Sequence, residues 1–184
     1  MLDLQRIDKT WTLFLDRDGV INHEKKDDYI YNWDEFRFYD GVLEAMKTLN
    51  EKFGRIVMVT NQRGIGRGLM TDADLKNIHD NMLAAMQQAG GRIDKIYYCP
   101  AAEKTDPCRK PNPGMAFSAK RDYPEIDFHR SLIVGNKLSD MNFGRNAGMH
   151  TVYVRCTHPE QGADPAIDLA FNDLAEFAKA LHLA

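Results

Sequence analysis

Long hydrophobic runs are missing from this sequence. No stretch approaches the roughly 18 consecutive apolar residues that a membrane-spanning helix requires. The amino-terminal residues MLDLQRIDKTW contain neither an apolar signal core nor a cleavage pattern. Internal repeats and low-complexity tracts are also absent. We therefore expect a soluble cytoplasmic protein with no membrane partner.

Cysteine is scarce, and positive charge is not in excess. The three cysteines, Cys99, Cys108 and Cys156, are an odd number without a repeated spacing, which favours reduced thiols in the cytoplasm. The 24 lysines and arginines are outnumbered by 27 aspartates and glutamates, which gives a net charge of −3. Such a balance provides no general basic surface for nucleic acid or an acidic membrane, so any basic site must be local.

What the sequence does contain is an alternation of short apolar runs and longer amphipathic stretches. Strand-like runs occupy residues 12–15, 55–60, 95–98, 131–134 and 151–154. Helical spacing of apolar residues covers 41–53, 72–89, 113–123, 138–148 and 173–183. Apolar strands that alternate with helices predict a central parallel sheet covered on both faces, the doubly wound, Rossmann-like α/β class. Because no linker interrupts the pattern, residues 1–184 are predicted to form a single domain. We expect the protein to be a monomer.

Acids, a hydroxyl and a cation follow the ends of these strands. They are Asp16 and Asp18 after the first strand, Thr60 at the end of the second, and Lys110 after the third. The carboxyl ends of parallel strands meet at one edge of the sheet, where α/β folds bind ligands, so we expect these groups to share a cleft. Side chains two apart on a strand share a face, which predicts that Arg17 points away from the cleft.

This set of groups suits phosphoryl transfer through an aspartyl-phosphate. An ionised carboxylate such as Asp16 is already a nucleophile at neutral pH. A dianionic phosphate ester that approaches several carboxylates needs opposite charge, which Lys110 and a Mg²⁺ ion would supply. The Thr60 hydroxyl can donate to a phosphoryl oxygen. Asp18 can protonate the leaving oxygen and then activate the hydrolytic water.

Four motifs occur in order along most of the chain: FLDRDGVIN, VMVTNQRG, CRKPNPGM and VGNKLSDM. Together they resemble the signature motifs of the haloacid dehalogenase (HAD) superfamily. The extended forms TNQRGIGRG and YYCP resemble the D-glycero-D-manno-heptose 1,7-bisphosphate 7-phosphatases, with histidinol-phosphate phosphatases as close relatives. The resemblance implies a Mg²⁺-dependent phosphomonoesterase that removes the C7 phosphate of the heptose bisphosphate, a precursor of lipopolysaccharide or S-layer glycans.

The spacing of the motifs also bears on the architecture that the resemblance implies. Superfamily members that act on small substrates often carry a cap domain after the first or third strand. Here the intervals 22–55 and 61–110 have room for one helix each, with one strand in the second interval. We therefore expect a capless HAD core with an open cleft, in which the loops 22–34, 61–71 and 99–111 set specificity.

The resemblance implies roles for individual residues. Asp16 would be the nucleophile and a metal ligand, and Asp18 would be the general acid/base that binds metal through its backbone carbonyl. Thr60 and Lys110 would hold the transferring phosphoryl group. The residues that would contact the rest of the sugar phosphate are Glu24, Lys25, Lys26, Asp27, Asn61, Gln62, Arg63, Arg109 and Lys137.

Two positions depart from the pattern with which the family binds a structural zinc. Cys99 and Cys108 are kept, but Ala101 stands where the family has a histidine and Asp106 where it has a further cysteine. Two thiolates and one carboxylate make a poor tetrahedral zinc set, so we expect no zinc.

Position 136 departs from the family pattern as well, because the family has an aspartate there as a magnesium ligand. The amide oxygen of Asn136 can still bind the metal, but the site loses one negative charge and hence affinity. Asp140, on the following helix, is expected just behind the metal. The asparagine is compatible with a natural variant, an engineered substitution or a sugar-phosphate binder without turnover. We favour an active phosphatase because the four catalytic residues named above all remain.

Two other enzymes share parts of this pattern. A capless nucleic-acid 3′-phosphatase would carry the same catalytic motifs, but it would need an extended basic face, against which the net charge of −3 argues. A histidinol-phosphate phosphatase would have only one phosphate to bind. Arg63, Arg67 and Arg109 could meet a second phosphate group, which favours a bisphosphate substrate.

Overall fold

A computed structural model describes residues 2–184 and contains one central sheet of six strands, all parallel. The strand order is β3-β2-β1-β4-β5-β6. The strands are β1 Thr12–Leu15, β2 Arg55–Asn61, β3 Lys95–Cys99, β4 Ser131–Gly135, β5 His150–Val154 and β6 Leu169–Phe171. The predicted α/β class with a parallel, doubly wound sheet is confirmed.

The first strand lies in the middle of the sheet. Thr12 of β1 is in register with Arg55 of β2 on one side and with Ser131 of β4 on the other. All four residues of β1 are buried, as expected for a strand covered on both faces. The end of β1 is therefore flanked by the ends of its two neighbours, β2 and β4.

Helices cover the two faces of the sheet. They are α1 Val42–Lys52, α2 Arg63–Gly66, α3 Asp72–Gln88, α4 Gly114–Asp122, α5 Leu138–Ala147 and α6 Leu174–Leu183. Thr71 begins α3 with a capping box, in which its hydroxyl accepts from the backbone N–H of Asp74 and the Asp74 carboxylate accepts from that of Thr71. Asp173 caps α6 by accepting from the backbone N–H of Glu176.

Side chains of β1 alternate between two apolar cores. Leu13 and Leu15 pack with residues of α1, α3 and α6 on one face, whereas Phe14 packs with residues of α4 and α5 on the other. Burial on both faces fixes the register of the strands, since a slip by one residue would exchange the two cores. The polar side chains that follow the strands are thereby held at the carboxyl edge of the sheet.

Two short elements differ from the sequence prediction. The sequence indicated five strands, but the structure has a sixth, β6, of three half-buried residues at the edge of the sheet. The four-residue helix α2, in which two residues are glycine, was predicted as loop. Neither element is long enough to show a hydrophobic period. Between residues 2 and 184, no helix is long and apolar enough to cross a membrane.

Candidate active site

The predicted site residues meet at the carboxyl ends of β1, β2 and β4, around a cavity of about 990 Å³. All but two of them line this cavity, which is called the cleft below. The lining includes Asp16, Asp18, Glu24, Lys25, Lys26, Asp27, Thr60, Asn61, Gln62, Arg63, Arg109, Lys110, Lys137 and Asp140. The exceptions are Asn136, which is fully buried directly after β4, and Arg67, which is exposed outside the lining.

Lys110 is the buried cation of the site, with 4% of its surface exposed. Its Nζ lies 2.9 Å from Asp16 Oδ1 and 2.7 Å from Asp140 Oδ1, and it donates to the carbonyl oxygen of Val59 at 2.8 Å. These contacts use all three of its N–H donors. Burial opposes the charged amine, but the carboxylates of Asp140 and Asp16 raise its pKa. Lys110 is therefore a fixed positive charge at the floor of the cleft.

Asp16 and Asp18 have opposite electrostatic environments. Burial raises the pKa of Asp16 to about 6, with Lys110 opposing and Asp140 adding to the rise. For Asp18, burial acts in the same direction, but Arg17 and hydrogen bonds from Asn22 outweigh it, so that its pKa is lowered. A cation bound beside Asp16 would favour its ionised form. The two acids are thus not equivalent.

Arg17 does not line the cleft, as predicted, but the sequence did not indicate where its guanidinium group lies. The side chain is fully buried and turns back, so that its Nη2 donates to both carboxylate oxygens of Asp18 at 2.9 and 3.1 Å. Its Nη1 lies 3.1 Å from Nε2 of His79 on α3. Burial, together with the Arg17 charge, lowers the pKa of His79 to about 3, so the imidazole is neutral and accepts from the guanidinium. Strand alternation alone could not give these contacts of the guanidinium group, because β1 ends at Leu15, before Arg17.

The hydroxyl of Thr60 has a free proton to offer. Gln62 Nε2 donates to Thr60 Oγ1 at 2.9 Å and to Asp18 Oδ2 at 3.0 Å. The Thr60 oxygen is thereby used as an acceptor, which leaves its O–H as a donor toward the cleft. Thr60 and Gln62 are both buried, so this arrangement is protected from water.

Asn61 is committed to the backbone rather than to the open cleft. Its Nδ2 donates to the Lys110 carbonyl oxygen at 3.2 Å, and its Oδ1 accepts from the Lys110 backbone N–H at 3.0 Å. This reciprocal pair fastens the loop after β3 to the end of β2. The side chain of Asn61 thus holds Lys110 in position.

The outer part of the cleft carries cations on loops and on the short helix α2. Tyr29 accepts from Arg63 Nε at 2.6 Å and from Arg67 Nη1 at 3.3 Å. Lys25 Nζ lies 2.8 Å from the Glu35 carboxylate. The Arg109 guanidinium donates to the backbone carbonyl of Ala101 at 3.4 Å, and also to that of Ala102. Lys26 and Asp27 are exposed. These side chains surround the mouth of the cleft.

The residues after β1 and β4 fit a magnesium ion. Asp16 offers a carboxylate, Asp18 a backbone carbonyl, and Asn136 Oδ1 is a buried oxygen without a hydrogen-bond donor among residues 2–184. Oxygen donors of this kind are the ligands that Mg²⁺ prefers. The Asp140 carboxylate is already occupied, by Lys110 on Oδ1 and by the backbone N–H groups of Asn136 and Lys137 on Oδ2. Asp140 thus stands behind the ligands and not among them.

The cysteines correct the expectation of reduced thiols. Cys99 at the end of β3 and Cys108 are joined by a disulfide, with their Cα atoms 5.5 Å apart, whereas Cys156 is free. Asp106 brings a carboxylate within 4.8 Å of the two sulfurs. Sulfurs bonded to each other have no thiolate to offer, and one carboxylate is far short of a four-ligand set, so this cluster does not fit a zinc ion.

Several residues of the cleft were missed by sequence reasoning. Tyr29, Lys104, Ser139, Thr157 and His158 also line it. Ser139 lies within the VGNKLSDM motif and was open to inference from the sequence. Thr157 and His158 follow β5, whose end neighbours that of β4, and the sequence analysis predicted no strand order that would place them there.

Comparisons with known proteins agree with this geometry. The family model described as Polynucleotide kinase 3 phosphatase matches residues 7–170. A D-glycero-alpha-D-manno-heptose-1,7-bisphosphate 7-phosphatase from Campylobacter jejuni is 39% identical over 154 residues, which cover 84% of this chain and 87% of the relative. A D-glycero-beta-D-manno-heptose-1,7-bisphosphate 7-phosphatase from Escherichia coli is 39% identical over 179 residues and 92% of each chain.

The fold is similar to that of a solved relative. The crystal structure of a D,D-heptose 1,7-bisphosphate phosphatase from B. bronchiseptica, complexed with magnesium and phosphate, superimposes with a TM-score of 0.84 at 33% identity. The match covers 94% of this chain and 98% of the other. Family model, relatives and fold agree with the four motifs, and the chain belongs to the heptose 1,7-bisphosphate 7-phosphatase family of the HAD superfamily.

Proposed function

We propose that the protein is a Mg²⁺-dependent phosphatase that removes the C7 phosphate of D-glycero-D-manno-heptose 1,7-bisphosphate. The observation that carries the proposal is the buried Asp16, whose carboxylate lies 2.9 Å from the Lys110 ammonium at the floor of an open cleft. A nucleophilic acid beside a fixed cation suits attack on a dianionic phosphate. The names of the relatives supply the sugar.

In the first step, a carboxylate oxygen of Asp16 forms a bond to phosphorus while the bond from phosphorus to the C7 oxygen breaks. Asp18 delivers a proton to that oxygen, and the product leaves as an alcohol. In the second step, Asp18 takes a proton from water, which attacks the aspartyl-phosphate and releases inorganic phosphate. Asp16 is regenerated as a carboxylate, and the proton balance closes.

The environment of Asp18 suits the second step. In the free protein, Arg17 and Gln62 stabilise its ionised form, which is the form that accepts a proton from water. Delivery of a proton in the first step requires a weakening of these contacts when substrate binds. Asp18 can exchange its partners because it retains 24% exposure of its side chain, whereas Arg17 beside it is fully buried.

Charge on the transferring phosphoryl group is met from two sides. The Thr60 hydroxyl donates to one oxygen. Lys110 uses its three donors on Asp16, Asp140 and the Val59 carbonyl in the free protein, so one of these contacts must give way for it to donate to the phosphoryl group. Asp16, the carbonyl of Asp18 and Asn136 would hold Mg²⁺, which supplies positive charge to the phosphoryl oxygens when bound. The free-energy cost of bringing these charges together is met during folding, because each charge is fixed before substrate binds.

The second phosphate of the substrate distinguishes a bisphosphate from other esters. Arg63 and Arg109, with Lys25 and Lys26, surround the mouth of the cleft, and guanidinium groups bind phosphate through paired hydrogen bonds. The C1 phosphate would meet this cationic mouth while the C7 phosphate reaches the floor. The two relatives at 39% identity carry names with opposite anomers, so overall identity does not select the anomer.

The experiment is a comparison of kcat/KM with Mg²⁺ on four substrates: both anomers of the heptose bisphosphate, histidinol phosphate and an oligonucleotide 3′-phosphate. The last substrate is included because the matching family model is named for a 3′-phosphatase. We expect a heptose bisphosphate to be preferred by at least about 100-fold over both others, and phosphorus NMR to show that the C1 phosphate is retained. A higher kcat/KM on either other substrate, or no phosphate release from any, would refute the proposal.

A further inference from the structure

The amide of Asn136 is fully buried and only half satisfied. Its Nδ2 donates to Glu24 Oε1 at 3.1 Å and to Thr157 Oγ1 at 2.9 Å. Its Oδ1 is buried as well and has no hydrogen-bond partner between residues 2 and 184. A buried polar atom without a partner costs about 1–3 kcal/mol, so an orphan at this position calls for a ligand.

The orientation of this amide follows from the chemistry of its neighbours. A carboxylate only accepts hydrogen bonds, so the atom of Asn136 that faces Glu24 must be the NH₂ group. With the amide reversed, Oδ1 would lie about 3 Å from Glu24 Oε1, and two acceptors would repel each other. The Thr157 hydroxyl can donate or accept and imposes no choice. Glu24 alone therefore decides which atom of the amide remains without a partner.

Both partners of this contact are held in place. The second oxygen of Glu24 lies 2.6 Å from Lys137 Nζ, and only 14% of the Glu24 side chain is exposed. The Asn136 backbone N–H donates to Asp140 Oδ2 at 3.2 Å. Gly19 packs so closely that a Cβ there would lie 1.9 Å from Asn136 Nδ2. The amide thus has little room to rotate once Glu24 has bound it.

We propose that Glu24 is a positioning residue for the cation site, because it fixes the Asn136 amide so that Oδ1, and not Nδ2, is presented to the metal. This inference rests on the proposed function, since it requires a Mg²⁺ site at Asp16 and Asn136. It also explains why an amide suits position 136 in this chain. An aspartate there would set a second carboxylate against Glu24 at hydrogen-bond distance without a proton between them.

The assignment predicts a coupling that a simple charge effect would not produce. Glu24→Gln introduces a side-chain amide that can donate to Asn136 Oδ1, so the Asn136 amide can reverse or lose its free oxygen. A carboxylate at position 136 has two equivalent oxygens and needs no such orientation. Glu24 should therefore matter for metal binding when residue 136 is asparagine and should not matter when it is aspartate.

The test is a double-mutant cycle read by direct Mn²⁺ binding, with the free ion measured by electron paramagnetic resonance. We expect Glu24→Gln to weaken Mn²⁺ binding about tenfold or more in the natural chain. In the Asn136→Asp background, the same substitution should leave binding within twofold or strengthen it. Equal weakening in both backgrounds, or no weakening in the natural chain, would overturn the assignment.

Controls separate this result from loss of fold and from failure of the proposed function. Glu35→Gln removes another carboxylate that is paired with a lysine, Lys25. Glu35 is not among the residues that contact Asn136, so this variant should leave Mn²⁺ binding within twofold. Unchanged circular dichroism and Tm show that Glu24→Gln remains folded. If Asp16→Asn also leaves Mn²⁺ binding unchanged, the metal site and this inference both fail. If Asp16→Asn abolishes binding but Glu24→Gln has no effect, only the role of Glu24 is wrong.

Discussion

The floor and the mouth of the cleft both carry charged side chains, but in different surroundings. The floor consists of Asp16, Thr60, Lys110, Asn136 and Asp140, none of which is more than 7% exposed. The mouth consists of cationic side chains on loops and on the short helix α2, namely Lys25, Lys26, Arg63 and Arg109, which are half-buried or exposed. Floor residues are fixed by the sheet and by backbone hydrogen bonds, whereas mouth residues contact other loop residues.

This difference determines what each group of charges can do. Charges on the floor interact with little screening by water, so that the loss of one leaves the others uncompensated. Charges at the mouth are screened by solvent and salt, and their pairs contribute little to stability. We infer that the floor governs turnover and folding, whereas the mouth governs which phosphate ester binds. Four substitutions, taken from the largest expected effect to the smallest, test this division.

Asp16→Asn should have the largest effect, because it removes the nucleophile from the floor while keeping its size. We expect kcat to fall by about 10⁴-fold. Acid-quenched enzyme should carry ³²P from labelled substrate in the natural chain and none in the variant. Asp80→Asn, at an exposed carboxylate on α3, should keep kcat within twofold. Labelled protein from the Asp16 variant would assign the nucleophile elsewhere.

Lys110→Met should destabilise the fold more than any loss at the mouth. Without the ammonium, Asp16 and Asp140 are left as buried carboxylates without their cation. We expect the free energy of unfolding, measured with urea at pH 7.5, to fall by about 3–5 kcal/mol. Lys137→Met removes a lysine that is 46% exposed and also ion-paired, and it should cost less than about 1 kcal/mol. Equal losses for the two variants would contradict the division.

His79→Gln tests the buried residues behind the floor, His79 and Arg17, through the pH dependence of stability. The native pKa of His79 is about 3, against 6.5 for an ordinary histidine, so the unfolded chain binds a proton between these values and the native one does not. His79 therefore makes the protein less stable as pH falls below 6.5. From pH 7.5 to 5.0 we expect the natural chain to lose about 2 kcal/mol that the variant retains.

Groups that titrate in both the natural chain and the His79→Gln variant contribute equally to the pH dependence of stability, so their effects cancel in the comparison. Asp16 changes stability with pH in the opposite direction, because its raised pKa lets the native state bind a proton first, but it is present in both chains. The amide oxygen of the introduced glutamine can still accept from Arg17, so support for the guanidinium is retained. Urea unfolding at both pH values measures the effect, and an identical pH dependence of the two chains would refute a neutral, buried His79.

Arg63→Gln should have the smallest effect and one of a different kind. It removes one cation from the mouth, so we expect KM for the heptose bisphosphate to rise roughly tenfold with kcat nearly unchanged. The increase should shrink at high salt because exposed charges are screened. Lys76→Gln, which removes an exposed cation on α3 outside the cleft, should leave KM unchanged. A tenfold fall in kcat for Arg63→Gln would show that Arg63 acts in turnover, as the floor residues do, and would contradict its assignment to the mouth.

The sequence predicted the floor better than the layers around it. Asp16 directly follows β1, Thr60 lies near the end of β2, and Lys110 lies in the loop after β3, so the rule that parallel strands end at one edge is sufficient to bring them together. The contact of Arg17 with Asp18 was not predicted, because strand alternation indicates the face of a side chain and not its partner, and the chain turns from Arg17 onward. Gly19, with φ of 84°, belongs to that turn.

Contacts between distant loops escaped prediction for a different reason. Cys99 and Cys108 flank a loop whose closure depends on how both ends pack, and their spacing does not encode a bond. Thr157 reaches Asn136 only because β5 lies beside β4 in the sheet. Elements such as β6 and α2 are too short for a periodic signal. The contacts and short elements that were missed are those that depend on the tertiary arrangement of the chain.

The central position of β1 has a consequence for the time at which activity arises during synthesis. Thr12 pairs with Ser131, more than half the chain away, so β1 lacks one neighbour until β4 has left the ribosome. Pairing over such a separation is slow because a long stretch of chain must be ordered first. Asn136, which directly follows β4, also joins the site only at this late stage. Phosphate release from a nascent or refolding chain is thus a direct signal that the sheet has closed around its first strand.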